Sequence, residues 1–130
     1  MNLKRIDHLV ITTAQPSECL RFYQALGFKL HEAKGRYELI GENFKFNVHI
    51  LGKEFHPHAC SICPGSTDIC LEVDSDLGTI INELAVHGIH PEMDVSLRHG
   101  FFGEMSSIYL RDPDGNLVEL CNYEENQKTP

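Results

Sequence analysis

The chain of 130 residues carries one succession of elements twice, and this duplication limits its fold more than any single motif does. Residues 6–13, IDHLVITT, have the β-branched character of a strand. PSECLRFYQALGF follows as a helix, with Pro16 in its first turn, Leu20, Phe22, Tyr23 and Leu26 on one side, and Gly27 as its stop. Three strand patterns come next, FKLHEA (28–33), RYELIG (36–41) and NFKFNVHIL (43–51). Lys34 with Gly35, and Glu42 beside Gly41, supply the turns between them. After a connection at 53–66 the order returns: TDICLEVD (67–74) as a strand, DLGTIINELAVHGI (76–89) as a helix stopping at Gly88, then extended segments PEMDVSL, SSIYLRDP and NLVELCNY, the last two joined by a hairpin at Asp112, Pro113, Asp114 and Gly115. Each half reads βαβββ. The expected organisation is a single domain with module one at 1–52, a linker at 53–66, module two at 67–123 and a tail at 124–130.

Overlaying the halves places His8 on Asp68, Gly27 on Gly88 and His49 on Glu119, with the surplus residues of the second half assigned to a loop at 98–105. The corresponding positions in the first and last strands therefore hold His8, His49, Asp68 and Glu119, all capable of binding a metal. Strand parity supports a shared face: His8 goes with Val10 and Thr12, Asp68 with Cys70 and Glu72, and Glu119 with Cys121, while Leu9, Ile11, Ile69, Leu71, Val118 and Leu120 form the apolar set facing the helices. Taken singly, each of the four has an ordinary structural explanation. Four such accidents at four symmetric positions are far less expected than one N/O metal site. That donor set suits Zn, Ni, Mn, Co or Fe(II) with coordination positions left open. Thr12, Asn47, Cys70, Glu72, Tyr109 and Cys121 point the same way by parity and are the expected lining of a substrate pocket.

Bulk properties narrow the partners. The formal charge of −8 repels nucleic acid and anionic membrane surfaces, and no apolar run reaches the length of a membrane span, so neither is expected as a partner and the expected location is the cytoplasm. Five cysteines, three of them inside helix or strand patterns, do not make a disulfide framework.

IDHLVITT, CLRFYQALGF and YLRDPDGNLVEL resemble the vicinal oxygen chelate superfamily, which includes glyoxalase I, extradiol dioxygenases, fosfomycin resistance enzymes and bleomycin resistance proteins. FNVHILGKEF followed by PGSTDICL is similar, more narrowly, to the glyoxalase-domain-containing protein five-like group. The resemblance spans nearly the whole chain. It implies an α+β fold of two tandem βαβββ modules forming an eight-stranded open, barrel-like curved sheet with helices outside. It also implies one divalent ion per site, bound from the first and last strand of each module, which His8, His49, Asp68 and Glu119 occupy. Asp68 stands where many relatives have a histidine, and His49 where glyoxalase I has a glutamate. The implied function is a glyoxalase-like, divalent-metal-dependent enzyme of lyase or isomerase type, acting on a small oxygen-chelating substrate and assembled as a homodimer. Glu119 or Asp68 serves as the base. In the ligand ranking, His8, His49 and Glu119 hold the ion and Asp68 exchanges. The alternatives are an extradiol-type dioxygenase or thiol transferase on the same site, or a non-catalytic protein that sequesters a small molecule.

A rival cluster lies in the linker, where His56, His58, Cys60 and Cys63 form H-x-H-x-C-x-x-C. Pro57 and Pro64 constrain that segment, the spacing is not a usual finger arrangement, and no helix N-terminus stands by to lower a thiol pKa. It reads as an exposed linker at the rim of the pocket, with adventitious metal binding as the alternative.

Overall fold

The computed structural model describes residues 1–123, so the tail expected at 124–130 lies outside the described residues. Strand β1 (His8–Thr13) buries Ile11 and Thr13 and exposes His8 and Val10, as its alternation requires. Helix α1 (Pro16–Ala25) begins with proline at its first turn, buries Cys19, Phe22 and Tyr23, and ends through Leu26 into Gly27 at φ +109°. Strands β2 (Lys29–Ala33) and β3 (Arg36–Ile40) are joined by Lys34 and Gly35, at φ +55° and +73°, the paired positive values that a two-residue hairpin turn demands. Strand β4 (Lys45–Ile50) then returns to lie parallel to β1, giving the sheet order β1-β4-β3-β2. Between this sheet and α1, the rings of Tyr23, Phe28 and Phe46 meet at centroid distances of 4.9 to 5.6 Å.

The second module repeats the plan with β5 (Asp68–Glu72), α2 (Leu77–Val86), β6 (Ser96–Gly100), β7 (Gly103–Arg111) and β8 (Leu117–Asn122), in the order β5-β8-β7-β6. Asp76 caps α2 by accepting from the Thr79 amide at 3.0 Å. Ile108, Leu110, Val118 and Leu120 form the buried side of this sheet. The expected α+β fold of two βαβββ modules is thus present, its eight strands hydrogen-bonded as two mixed sheets of four.

The described chain divides into two units, one of Met1–Thr67 with Asp112–Gly115, the other of Asp68–Arg111 with residues 116–123. The turn between β7 and β8 therefore packs with the first unit, and its aspartates explain why. Asp112, buried, accepts from the Tyr23 hydroxyl at 2.7 Å, while Asp114 accepts from the Ala14 amide at 2.9 Å and from the Thr13 hydroxyl. Gly65 of the linker, at φ +87°, lies so close to the Asp114 carbonyl that a Cβ would collide with it. The aspartates of the turn are accordingly part of the hydrogen bonding of the first unit.

Two expectations are corrected. The loop expected at 98–105 is a tight hairpin, with β6 running to Gly100 and β7 starting at Gly103, and the segment at 91–97 joins the ladder only from Ser96. Polar residues fill β6, which hides its alternation, and Gly103 at φ +119° permits the sharp reversal. The overlay of His49 on Glu119 is wrong by two residues. Val10 pairs with Asn47 and Thr12 with His49, whereas Cys70 pairs with Glu119 and Glu72 with Cys121. The counterpart of Glu119 is Asn47. A slip of two preserves every inward and outward assignment, so parity cannot detect it.

Candidate functional site

On each sheet, the face away from the helix carries the candidate residues in rows set by strand register. In module one, His8 lies beside Lys45, Val10 beside Asn47 and Thr12 beside His49. His8 and His49 are therefore four ladder positions apart, about 13 Å along the strands at ~3.3 Å per residue. Side chains standing perpendicular to the sheet cannot bring those two imidazoles to one ion. In module two, Asp68 lies beside Leu117, Cys70 beside Glu119 and Glu72 beside Cys121, with Tyr109 across from Glu119 on the other side. Asp68 and Glu119 are thus two positions apart on one face. All six expected pocket residues, Thr12, Asn47, Cys70, Glu72, Tyr109 and Cys121, fall on these faces by register.

Local partners distinguish the candidates. His8 is exposed, and its Nδ1 lies 2.8 Å from Asp7 Oδ1, which leaves Nε2 available. Glu119 accepts from the buried Ser107 hydroxyl at 2.6 Å through Oε2, and the Cys70 thiol is a second hydrogen-bonding neighbour of its carboxylate. Asp68 is exposed, with Arg111 as a neighbouring charge and no hydrogen bond to its carboxylate among the described residues. The Cys70 thiol is held well above the usual thiol range by its hydrogen bond with Cys121, by burial and by the charge of Glu119, so it stays protonated at neutral pH. His49 differs from the rest. It is 8% exposed, its Nδ1 is buried with no partner among the described residues, and burial lowers its pKa, with Glu54 opposing and His58 and Arg36 reinforcing that shift. The imidazole is neutral at pH 7.

His49 lines two cavities of the first unit. The smaller, about 150 Å³, is walled by Val10, Thr12 and His49 and by His58, Ala59 and Cys63 of the linker. The larger, about 400 Å³, is walled by Arg36, Glu38, Lys45, Asn47, His49 and Phe55. The linker at 53–66 is thus a pocket rim, as its sequence suggests. Among the described residues no three His, Cys, Asp or Glu side chains gather into a group that could hold a metal ion, in the linker or elsewhere. The His56 and His58 rings stack 4.8 Å apart, and Cys60 and Cys63 are exposed free thiols.

Sequence reasoning missed Asp7, Ser107, Arg36 and Phe55. Alternation along RYELI does place Arg36 and Glu38 on the face of Asn47 and His49, so Arg36 was within reach of parity. Phe55, in irregular chain, left no periodic signal. As for the donor set itself, an imidazole with one nitrogen occupied by a carboxylate, a carboxylate with one oxygen occupied by a hydroxyl, and an untethered carboxylate suit a divalent transition ion by their chemistry.

Two βαβββ modules with such donors on their open faces define a class, and sequence comparison agrees: the chain belongs to the Glyoxalase/Bleomycin resistance protein/Dioxygenase superfamily, whose family model matches residues 5–120. Among individual proteins it is similar to Virulence protein STM3117 of Salmonella typhimurium, 40% identical over 95% of this chain and 87% of that one. It is also similar to the glyoxalase domain-containing protein RDO1 of Mycosarcoma maydis, 36% identical over 96% of this chain and 72% of that one. Of solved structures, an integron cassette protein from Vibrio cholerae superposes with a TM-score of 0.91 at 36% identity, covering 95% of this chain and 98% of that chain. Lactoylglutathione lyase from Agrobacterium tumefaciens, at 16% identity and a TM-score of 0.71 over 94% of this chain and 96% of its own, shares the fold.

Proposed function

We propose that the protein is a glyoxalase-like, divalent-metal-dependent enzyme of lyase or isomerase type, acting on a small substrate that presents two neighbouring oxygens, with His8 of the first unit and Asp68 and Glu119 of the second as the side chains whose chemistry suits them to donate to the ion. The observation that carries this reading is the preparation of the donors. Asp7 occupies Nδ1 of His8 and Ser107 occupies one oxygen of Glu119, contacts of the kind that orient ligands and fix the imidazole tautomer. A bound ion of this type supplies Lewis acidity to substrate oxygens on which negative charge grows. Asp68, with no hydrogen bond to hold its carboxylate among the described residues, is the group to take a proton from the substrate. Glu119, tethered by Ser107, keeps its place. In this reading His8, and not His49, donates from module one, because the register sets His49 two residues from the counterpart of Glu119.

Metal analysis of protein purified without a histidine tag tests this reading. One divalent ion per chain is expected, lost in His8→Ala and retained in Asp68→Asn. Turnover of hemithioacetals by the loaded wild type should vanish in Asp68→Asn. A wild type that retains no divalent ion overturns the reading in favour of a sequestering protein.

A further inference from the structure

The larger cavity of module one holds features that metal binding does not use. On the open face of β4, Asn47 and His49 stand two residues apart, and each carries a buried polar atom without a partner among the described residues, Oδ1 of Asn47 and Nδ1 of His49. A buried polar group left without a hydrogen bond keeps its full desolvation penalty. Two on one wall of one cavity are the mark of a site whose ligand supplies the missing bonds. Neutral His49 accepts through Nδ1 in one tautomer and donates in the other, and the Asn47 amide offers an acceptor or, turned over, a donor.

The charge of the cavity indicates what kind of ligand. Lys34, Arg36 and Lys45 line it against a single carboxylate, Glu38, in a chain whose formal charge is −8. Glu38 is already engaged by Lys45 and, at 3.0 Å, by His31. Among the described residues nothing engages the hydrogen-bonding edge of Arg36. The central carbon of its guanidinium lies over the Phe55 ring, 3.9 Å from the centroid, and Phe55 in turn packs its ring against His49 at 5.8 Å. Stacking occupies the flat face of a guanidinium and leaves its N–H fork free for an anion. Phe55 and Val48 add an apolar wall, and the volume of about 400 Å³ suits a small organic molecule.

We infer that this cavity is a binding site for a small 2-hydroxy carboxylate with an apolar side group, its carboxylate on Arg36 and its hydroxyl shared by Asn47 and His49. The site stands within module one and requires neither the ion nor turnover.

The test uses the full chain stripped of metal with a chelator, so that its outcome is separate from that of the metal analysis. Calorimetric titrations compare mandelate with phenylacetate, which lacks the hydroxyl, and with 1-phenyl-1,2-ethanediol, which lacks the carboxylate. Mandelate is expected to bind at least about tenfold more tightly than either, ~1.4 kcal/mol in binding free energy. Arg36→Gln, at an exposed position, should abolish the advantage over the diol. Asn47→Ala should abolish the advantage over phenylacetate, with circular dichroism verifying that each variant is folded. No saturable mandelate binding by the wild type, or equal affinity for all three compounds, overturns the assignment. So does a folded Arg36→Gln that keeps the full preference for mandelate over the diol.

Discussion

At the scale of the residue, the fold relies on a few buried polar contacts whose removal has a calculable effect. Tyr23 is almost fully buried and donates to Asp112, a bond to an acceptor that is itself buried. Burial and the neighbouring Asp112 charge both push the phenol pKa up, so the hydroxyl remains a donor throughout the working pH range. Tyr23→Phe removes one hydrogen bond from Asp112 and should cost about 1.5–3 kcal/mol, the range for bonds to charged groups, read as a fall in unfolding free energy in urea. His49 gives a second prediction through linkage. Its pKa is lowered in the folded state, so on acidification the unfolded chain binds the proton first. The stability it contributes is complete above the ordinary histidine pKa of about 6.5 and declines as pH falls through that value toward the depressed one. Urea titrations across this window should show a flatter pH dependence in His49→Gln than in the wild type. An identical slope would mean that His49 is not held neutral.

At the scale of the element, the linker and the β6–β7 hairpin show how irregular chain shapes the site. Cys60 and Cys63 are exposed and unpaired, and Cys63 contributes its wall to the smaller cavity without a metal partner. Replacing both with serine is expected to leave metal content unchanged and to alter unfolding free energy by no more than about 0.5 kcal/mol, as surface substitutions do. Loss of an ion in that variant would restore the linker cluster as a zinc site. The same linker supplies Phe55, which positions Arg36 and closes the pocket over His49. A short aromatic contact thus links a segment with no regular structure to the residue most in need of a partner.

At the scale of the whole molecule, no helix among the described residues is long and apolar enough to cross a membrane. Large apolar side chains are nonetheless left in the open on the second module, with Leu97 64% and Phe101 84% exposed. Exposed apolar surface of this kind accompanies self-association, and we propose that the chain forms a homodimer. Sedimentation velocity should give twice the chain mass, and Phe101→Asp should shift the distribution toward the monomer. A wild type that sediments at a single chain mass throughout an accessible concentration range removes the homodimer.

The amino-acid sequence by itself determined the two βαβββ modules, because element order, helix stops at Gly27 and Gly88, and period-two alternation are local properties that a repeat displays twice. It also determined which side chains share the open faces, since inward and outward assignment follows from alternation alone. Register was decided by tertiary structure. The β1–β4 and β5–β8 pairings join strands distant in the chain through backbone hydrogen bonds, which carry no side-chain signature, so the displacement of His49 from the Glu119 position was invisible until those ladders were seen. The partner of Glu119, and the cover that Phe55 lays over His49, were decided there too, because each depends on the distance between side chains brought together by folding.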